Sequence, residues 1–567
     1  MNDSKNMILA IVLSALVLLG WSWAANKFLP TANPPSTKIE NGKQQPVPQP
    51  QAQPSVPSAP KALQSRAKVL GSTPRIRINA PSLQGSINLK GAQIDDLTLV
   101  RQRETIAKDS PPVRLLSPLG APGAYIASFG WTGGGTPVPN LDTVWTTDNS
   151  VLSPGRPVTL SADVGGVRYL QRISIDDGYL FTVQQRAQNA SGKPVIVRPI
   201  GLVSRAAKSH DPDSWTNHVG PISVFGGKAD YDVNYKTLDE DGPQSFSNVS
   251  GWLGFTDKYW LTALVPQGSV AADFRRSPSG GYQGDYALVP SALQPGQSLD
   301  TKTRFFAGAK EKAWLDRYED AGIPMLSKSI DWGWFEWFMR PIFDLLMFLF
   351  HTVGNFGFAI IGLTLIVRLI LFPIAQKQFQ SMAAMRKLQP KLKAIQERFK
   401  DDKQRQQKEI LALYQQEKVN PAAGCLPILL QIPIFYALYK VLLVSVEMRH
   451  QPFIGWIKDL SAPDPLTPVN LFGLLPFTPP AFLIIGVLPI LVGATQWMSM
   501  KLNPQPMDPA QAQVFAIMPW VLVFIMAPFA AGLQLYWMTN NVLTIAQQWW
   551  LYRKYGLHFS DTHPVHS

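Results

Sequence analysis

The chain has 567 residues, a formal net charge of +13, 46% hydrophobic residues and one cysteine. A single cysteine excludes a disulfide framework and any multi-thiolate zinc or iron–sulfur site. The surplus charge suits nucleic acid, anionic lipid or topology signals in membrane loops, and its position decides among them.

From Lys27 to Lys328 there are 32 Lys+Arg and 25 Asp+Glu, a mild excess over three hundred residues. From Gln376 to Gly424 there are 11 against 5 in under fifty residues, between two apolar runs. Dense basic charge beside apolar spans is the mark of a cytoplasmic loop.

The first apolar span is Met7–Ala25, close to the ~20 residues that cross a bilayer. Ser22 and Ala24 would permit signal-peptidase cleavage, but the run continues through Trp21 and Trp23, so residues 1–29 read as an uncleaved anchor. Residues 30–70, rich in Pro, Gln and Ser, read as an extended linker.

Residues 71–325 change texture. Period-two segments at Arg75–Ile78, Ser86–Leu89, Tyr179–Arg186, Val195–Ile200, Tyr259–Val265 and Thr301–Ala307 predict an antiparallel β-sandwich. Its paired carboxylates (Asp95-Asp96, Asp176-Asp177, Asp239-Glu240-Asp241) read as turn residues on a solvated surface. His210 and His218 lack metalloprotease spacing, and neither a nucleophile elbow nor a phosphate loop occurs. No catalytic signature or cofactor motif emerges.

Residues 326–355 mix Trp332, Trp334 and Trp337 with charge and predict an amphipathic helix lying in the membrane interface. Five further spans follow: Phe356–Ile374, Cys425–Val446, Ala481–Met500, Val514–Ala530 and Leu533–Leu551. With the basic loop in the cytoplasm, both termini fall inside and the β region outside. The short loops follow the positive-inside bias, and the β region is long enough to be exempt.

The span at 356–375 contains one charge, Arg368, with Thr364 a turn away on the same face. A charge at the bilayer centre costs roughly 2.5–3.5 kcal/mol on insertion scales, so Arg368 either snorkels or faces a wet cavity. Gln431, Gln496, Gln534, Thr539, Asn540 and Asn541 add polar groups. No intramembrane carboxylate accompanies Arg368, which counts against a proton or sodium carrier. Lys440 reads as snorkelling outward.

Residues 376–424 predict a helical hairpin turning at Asp401-Asp402, with Pro390 bending or breaking its first arm. Met382 and Met385 lie on an apolar stripe; Arg386, Lys387 and Lys391 offer a basic face to RNA or anionic lipid.

The runs TLIVRLILFPIAQKQFQSMAAMRKLQPKLKAIQERF, DDKQRQQKEILALYQQEKVNPAAGCLPILLQIPIFYALY and AAGLQLYWMTNNVLTIAQQWWLYRKYG, behind an anchor and a large β domain, resemble the Oxa/Alb/YidC family of membrane insertases. The likeness is to its Gram-negative type and covers essentially the whole chain. It implies a polytopic α-helical membrane protein of six spans, with a five-helix conserved core and an inserted periplasmic supersandwich-like domain. It further implies a hydrophilic groove at Arg368, Thr364, Gln431, Gln534, Trp537 and Asn540, and a substrate slide at Ile432, Pro433, Phe435 and Tyr536. The implied partners are nascent membrane proteins, the Sec translocon, the ribosome and signal recognition pathway through the hairpin, and anionic lipid, in the bacterial inner membrane and without a cofactor. The short tail (552–567) lacks the basic extension with which some relatives hold ribosomes. The rival reading is a transporter or channel whose β domain captures a ligand.

Overall fold

The computed structural model describes residues 38–40, 43–45, 63–211, 213, 216–277, 280–400, 402–417, 426–475, 484–502 and 509–554, apart from some helical side chains. The first apolar span, most of the Pro/Gln-rich stretch and the tail from Tyr555 lie outside the described residues. A compact unit covering Met1–Gln53 contributes one described feature, an antiparallel pair of strands, Lys38–Glu40 and Lys43–Gln45.

The stretch expected to be wholly extended to residue 70 instead ends in a short helix, α1 (Arg66–Leu70). Local contacts account for it. Gln64 donates its backbone N–H to Gly120, and the Arg66 guanidinium pairs with Asp96, so these residues belong to the folded domain that follows.

That domain is built from two large sheets. One has nine strands, from the Lys228–Asp230 edge to Thr146–Thr147; the other has eleven, from Gln244–Val249 to Val151–Leu152. Pairing is antiparallel except between Arg75–Asn79 and Val151–Leu152. The strand Val167–Ile175 shows why the sequence folds this way: Val167, Tyr169, Gln171, Ile173 and Ile175 are buried, while Arg168 and Arg172 point to solvent. Rings from the two sheets meet in one core, Phe129 against Phe305 at 5.9 Å and Trp131 against Tyr169 at 4.9 Å.

Asp95 and Asp96 are not solvated turn residues. They are buried within the strand Gln93–Arg103 and paired with Arg75 and Arg66. Burial pushes the Asp95 carboxyl up to about 6 despite Arg75. Asp176 does behave as a turn residue, accepting from the Gly178 and Leu180 N–H groups. Asp239 and Glu240 are not turn residues: they end a short helix, where Asp239 accepts from the Tyr282 hydroxyl and pairs with Lys208.

Between strands lies the short helix α2 (Tyr235–Glu240), closed by a capping box from Asn234 and Thr237. After the last strand come α3 (Lys312–Asp320), a 3-10 turn at Leu326–Ser329, and α4 (Glu336–Val353). The amphipathic helix is therefore shorter than 326–355. Of the three expected tryptophans only Trp337 lies on it: Trp334, in the turn before it, and Trp337 are 81% and 70% exposed, whereas Trp332, further upstream, is buried edge-on against Phe343. Ion pairs from Arg340 to Asp316 and from Lys312 to Asp344 tie α4 to α3, and Arg340–Glu336 and Lys312–Asp316 brace each helix internally.

Gly354, at φ 74°, ends α4, and the Asn355 side chain caps the next helix by accepting from Gly357 and Phe358. That helix, α5 (Phe356–Arg398), runs 43 residues without interruption. Pro390 does not break it, because the surrounding long side chains are strong helix formers. It is the one described helix long and apolar enough to cross a membrane, over Phe356–Lys377; Gln431–Val444 and Gln513–Met526 form shorter apolar helical stretches.

After α5 comes α6 (Lys403–Gln416), capped by Asp402 and lying back along α5 where Glu417 meets Lys391. Then follow α7 (Leu426–Val444), α8 (Val487–Lys501), α9 (Pro509–Met526) and α10 (Ala531–Lys554). The fourth span was expected to begin at Ala481; its helix starts at Val487, where the buried Asp464 carboxylate accepts from the Leu488 N–H at 2.7 Å.

Candidate functional site

The helix α10 carries polar residues at four-residue spacing, which stacks them on one face. Tyr536, Asn540 and Thr544 form that ladder. Arg368 on α5 reaches across to it: its Nε donates to Asn540 Oδ1 at 2.8 Å, and its Nη2 donates to the Asn540 carbonyl at 3.2 Å and to the Thr544 hydroxyl. A guanidinium presents a planar fork of donors, and here the fork is occupied by neutral acceptors. Among the described residues no carboxylate pairs with it. Gln547 continues the α10 face toward its C-terminal end, with a buried side-chain amide nitrogen that has no partner among the described residues.

One turn toward the helix start, Gln431 on α7 donates to the Tyr536 hydroxyl. On the neighbouring face of α10, the Trp537 indole donates to Gln496 on α8 at 3.2 Å and meets the Phe435 ring edge-on at 4.8 Å. Asn541 donates to Thr495 at 3.2 Å. Four helices thus place a guanidinium, amides, hydroxyls and an indole along one helix. Ile432, adjoining Gln431, is 57% exposed, Pro433 is half-buried, and Tyr536 is buried.

Two expected members do different work. Thr364 is buried, and its hydroxyl donates to the Ile360 carbonyl of its own helix rather than facing Arg368. Gln534 is fully buried and donates to the carbonyls of Met526 and Phe529, closing the end of α9. Thr544 was missed by sequence reading, although it lies four residues after Asn540. At the hairpin, Lys391 pairs with Glu417 at 2.7 Å. The side chains of Met382, Met385, Arg386 and Lys387 lie outside the described residues.

Lys440 does not snorkel outward. It is buried, donates to the Thr216 carbonyl of the β domain, and pairs with Asp331 at 3.4 Å. Nearby, Glu447 accepts from the Lys312 N–H at 2.9 Å, and Arg449 donates to the carbonyls of Arg103 and Glu104. The β domain is therefore bonded directly to α7 and to the segment after it.

Comparison with known proteins decides what this architecture is. Residues 348–557 match the family described as 60Kd inner membrane protein, and residues 75–345 match the YidC periplasmic domain. The membrane protein insertase YidC of Zymomonas mobilis is 46% identical over 98% of this chain and 96% of its own length. That of Methylorubrum extorquens is 42% identical over the same shares. The chain belongs to the YidC family of membrane protein insertases. Its β domain is the YidC periplasmic domain, and its helices from α5 onward form the inner-membrane part. A solved YidC structure from Thermotoga maritima is 16% identical, covering 83% of this chain and 99% of that one, with a TM-score of 0.30.

Proposed function

We propose that this chain inserts and helps fold integral membrane proteins, alone or with the Sec translocon, through a hydrophilic groove along α10. The observation that carries the reading is Arg368, held by Asn540 and Thr544 with no anionic partner among the described residues. A guanidinium held by neutral acceptors keeps its charge available to an arriving polar or acidic flank. The flank exchanges water for Arg368, Gln431 and Tyr536, which lowers the barrier to moving it across. The apolar segment then leaves past Ile432, Pro433 and Phe435 into lipid, driven by about 0.8 kcal/mol per buried CH₂. Nothing in this sequence of events requires nucleotide hydrolysis.

The same reading assigns six membrane spans, both termini in the cytoplasm and a supersandwich-like periplasmic domain. The hairpin 376–424 meets nascent chains, the ribosome or anionic lipid through Met382, Met385, Arg386, Lys387 and Lys391. The relatives' names leave the transporter alternative without support.

The test is site-specific crosslinking of a ribosome-bound single-span protein from Ile432 and Phe435, together with depletion of the protein in cells. Crosslinks from both positions and failed insertion on depletion are expected. Insertion that continues unchanged, without crosslinks, defeats the reading.

A further inference from the structure

A cavity of about 300 Å³, lined by none of the groove residues, lies between α7, the turn joining α9 to α10, and the β domain. Its walls are mainly apolar, formed by Tyr439, Leu442 and Leu443 of α7 with Phe529 and Leu533 beyond α9. Lys258 of the β domain lines the same cavity. The Lys258 ammonium lies 4.8 Å from the Tyr259 ring centroid and has no carboxylate partner among the described residues. Arg449 sits over the same ring at 5.9 Å and over Trp260 at 5.4 Å. Of these cations Lys258 lines the cavity, and an ammonium beside an apolar recess is the chemistry of a lipid headgroup site. The volume is at the small end of ligand cavities, about 300–1,000 Å³, so it takes one chain end rather than a whole lipid.

We propose that this cavity holds an anionic phospholipid of the outer leaflet, one acyl chain against Leu442, Leu443 and Phe529, and its phosphate on Lys258. The proposal rests on the periplasmic placement of the β domain, which puts the mouth at headgroup level. A peptide segment would also fill an apolar recess, but Lys258 at the mouth selects an anion joined to a hydrocarbon chain. Such a lipid would wedge between the β domain and α7, beside the Lys440–Asp331 pair.

The test is photolabelling of the full-length protein in phosphatidylethanolamine liposomes. These are doped with either phosphatidylglycerol or phosphatidylcholine bearing a diazirine near the chain end. Phosphatidylglycerol should label peptides containing Leu442–Leu443 and Phe529–Leu533, with phosphatidylcholine about fivefold weaker, since one lysine near a headgroup is worth about 1 kcal/mol. Lys258→Gln should erase that difference, and Leu443→Trp should remove the labelling. Equal labelling by the two lipids in the wild type overturns the proposal. So does a Lys258→Gln protein with wild-type selectivity, or a stalled single-span client crosslinking to these peptides in place of lipid. Client insertion measured in the same liposomes reports separately on the insertase reading.

Discussion

Lys440 of α7 and Asp331, from the segment after the periplasmic β-sheets, form an ion pair at 3.4 Å, with Lys440 almost wholly buried. The backbone N–H of His218 donates to the same carboxylate oxygen at 3.1 Å. Lys440 of α7 is thus bonded both to Asp331 and, through the Thr216 carbonyl, to the β domain.

Removing one partner of a buried pair leaves an uncompensated charge, a loss of about 3–5 kcal/mol. Lys440→Met should therefore lower the thermal midpoint of the full-length protein and open the 205–220 and 326–332 segments to protease. Lys440→Met combined with Asp331→Asn should recover most of the loss. Equal melting of the single and double variants would show that the pair contributes nothing.

At the groove, Arg368→Lys keeps the charge and loses the fork that spans Asn540 and Thr544. Charge-assisted hydrogen bonds contribute about 1.5–3 kcal/mol, so client insertion into proteoliposomes should slow by about tenfold or more. Thr364→Val should leave the rate unchanged, because that hydroxyl is already spent on Ile360. A strong effect of Thr364→Val with a silent Arg368→Lys would reverse this assignment.

The periplasmic domain should be more stable in mild acid. Burial pushes the Asp285 carboxyl up from 3.8 to about 7, outweighing Arg275 at 2.7 Å. Between those values the folded chain holds a proton that the unfolded chain has lost, so stability falls as pH rises from about 4 to 7. Asp95, raised to about 6, acts in the same direction. Thermal midpoints read from pH 4.5 to 8 should decline, and Asp285→Asn should flatten the slope. A rising curve would refute the assignment.

The interfacial tryptophans should separate by depth. Trp334, just before α4, and Trp337, on it, are exposed, and brominated lipids should quench them; Trp332 should stay unquenched in its pocket beside Phe343. Trp332→Ala should destabilise by about 3–5 kcal/mol, and Trp334→Ala by far less.

These tests follow the division between what the residues disclose and what they conceal. Period-two alternation announced the strands around Arg75, Tyr179 and Thr301, because one face of each is buried and the other wet. Arg368 stood out because a lone charge in an apolar run has few explanations. The partners of these residues were hidden. That Asp95 and Asp96 are buried depends on Arg75 and Arg66 arriving from elsewhere in the chain. Lys440 was opaque for the same reason, since its acceptors are 224 and 109 residues away in sequence. Thr364 and Gln534 had the right polarity in the right helices. Local backbone carbonyls, which no side-chain pattern reveals, had already claimed them.

The length of α5 has a mechanical consequence. At 1.5 Å per residue its 43 residues extend about 65 Å, roughly twice the ~30 Å hydrocarbon layer. On the proposed topology it therefore carries the hairpin on the arm that leaves the bilayer and Arg368 on the arm within it. Pro373 lies between them and deletes the hydrogen bond that would have closed on the Leu369 carbonyl. Pro390 removes a second such bond nearer the hairpin's turn, so α5 has two weakened points along its length, one of them a little over a turn from Arg368.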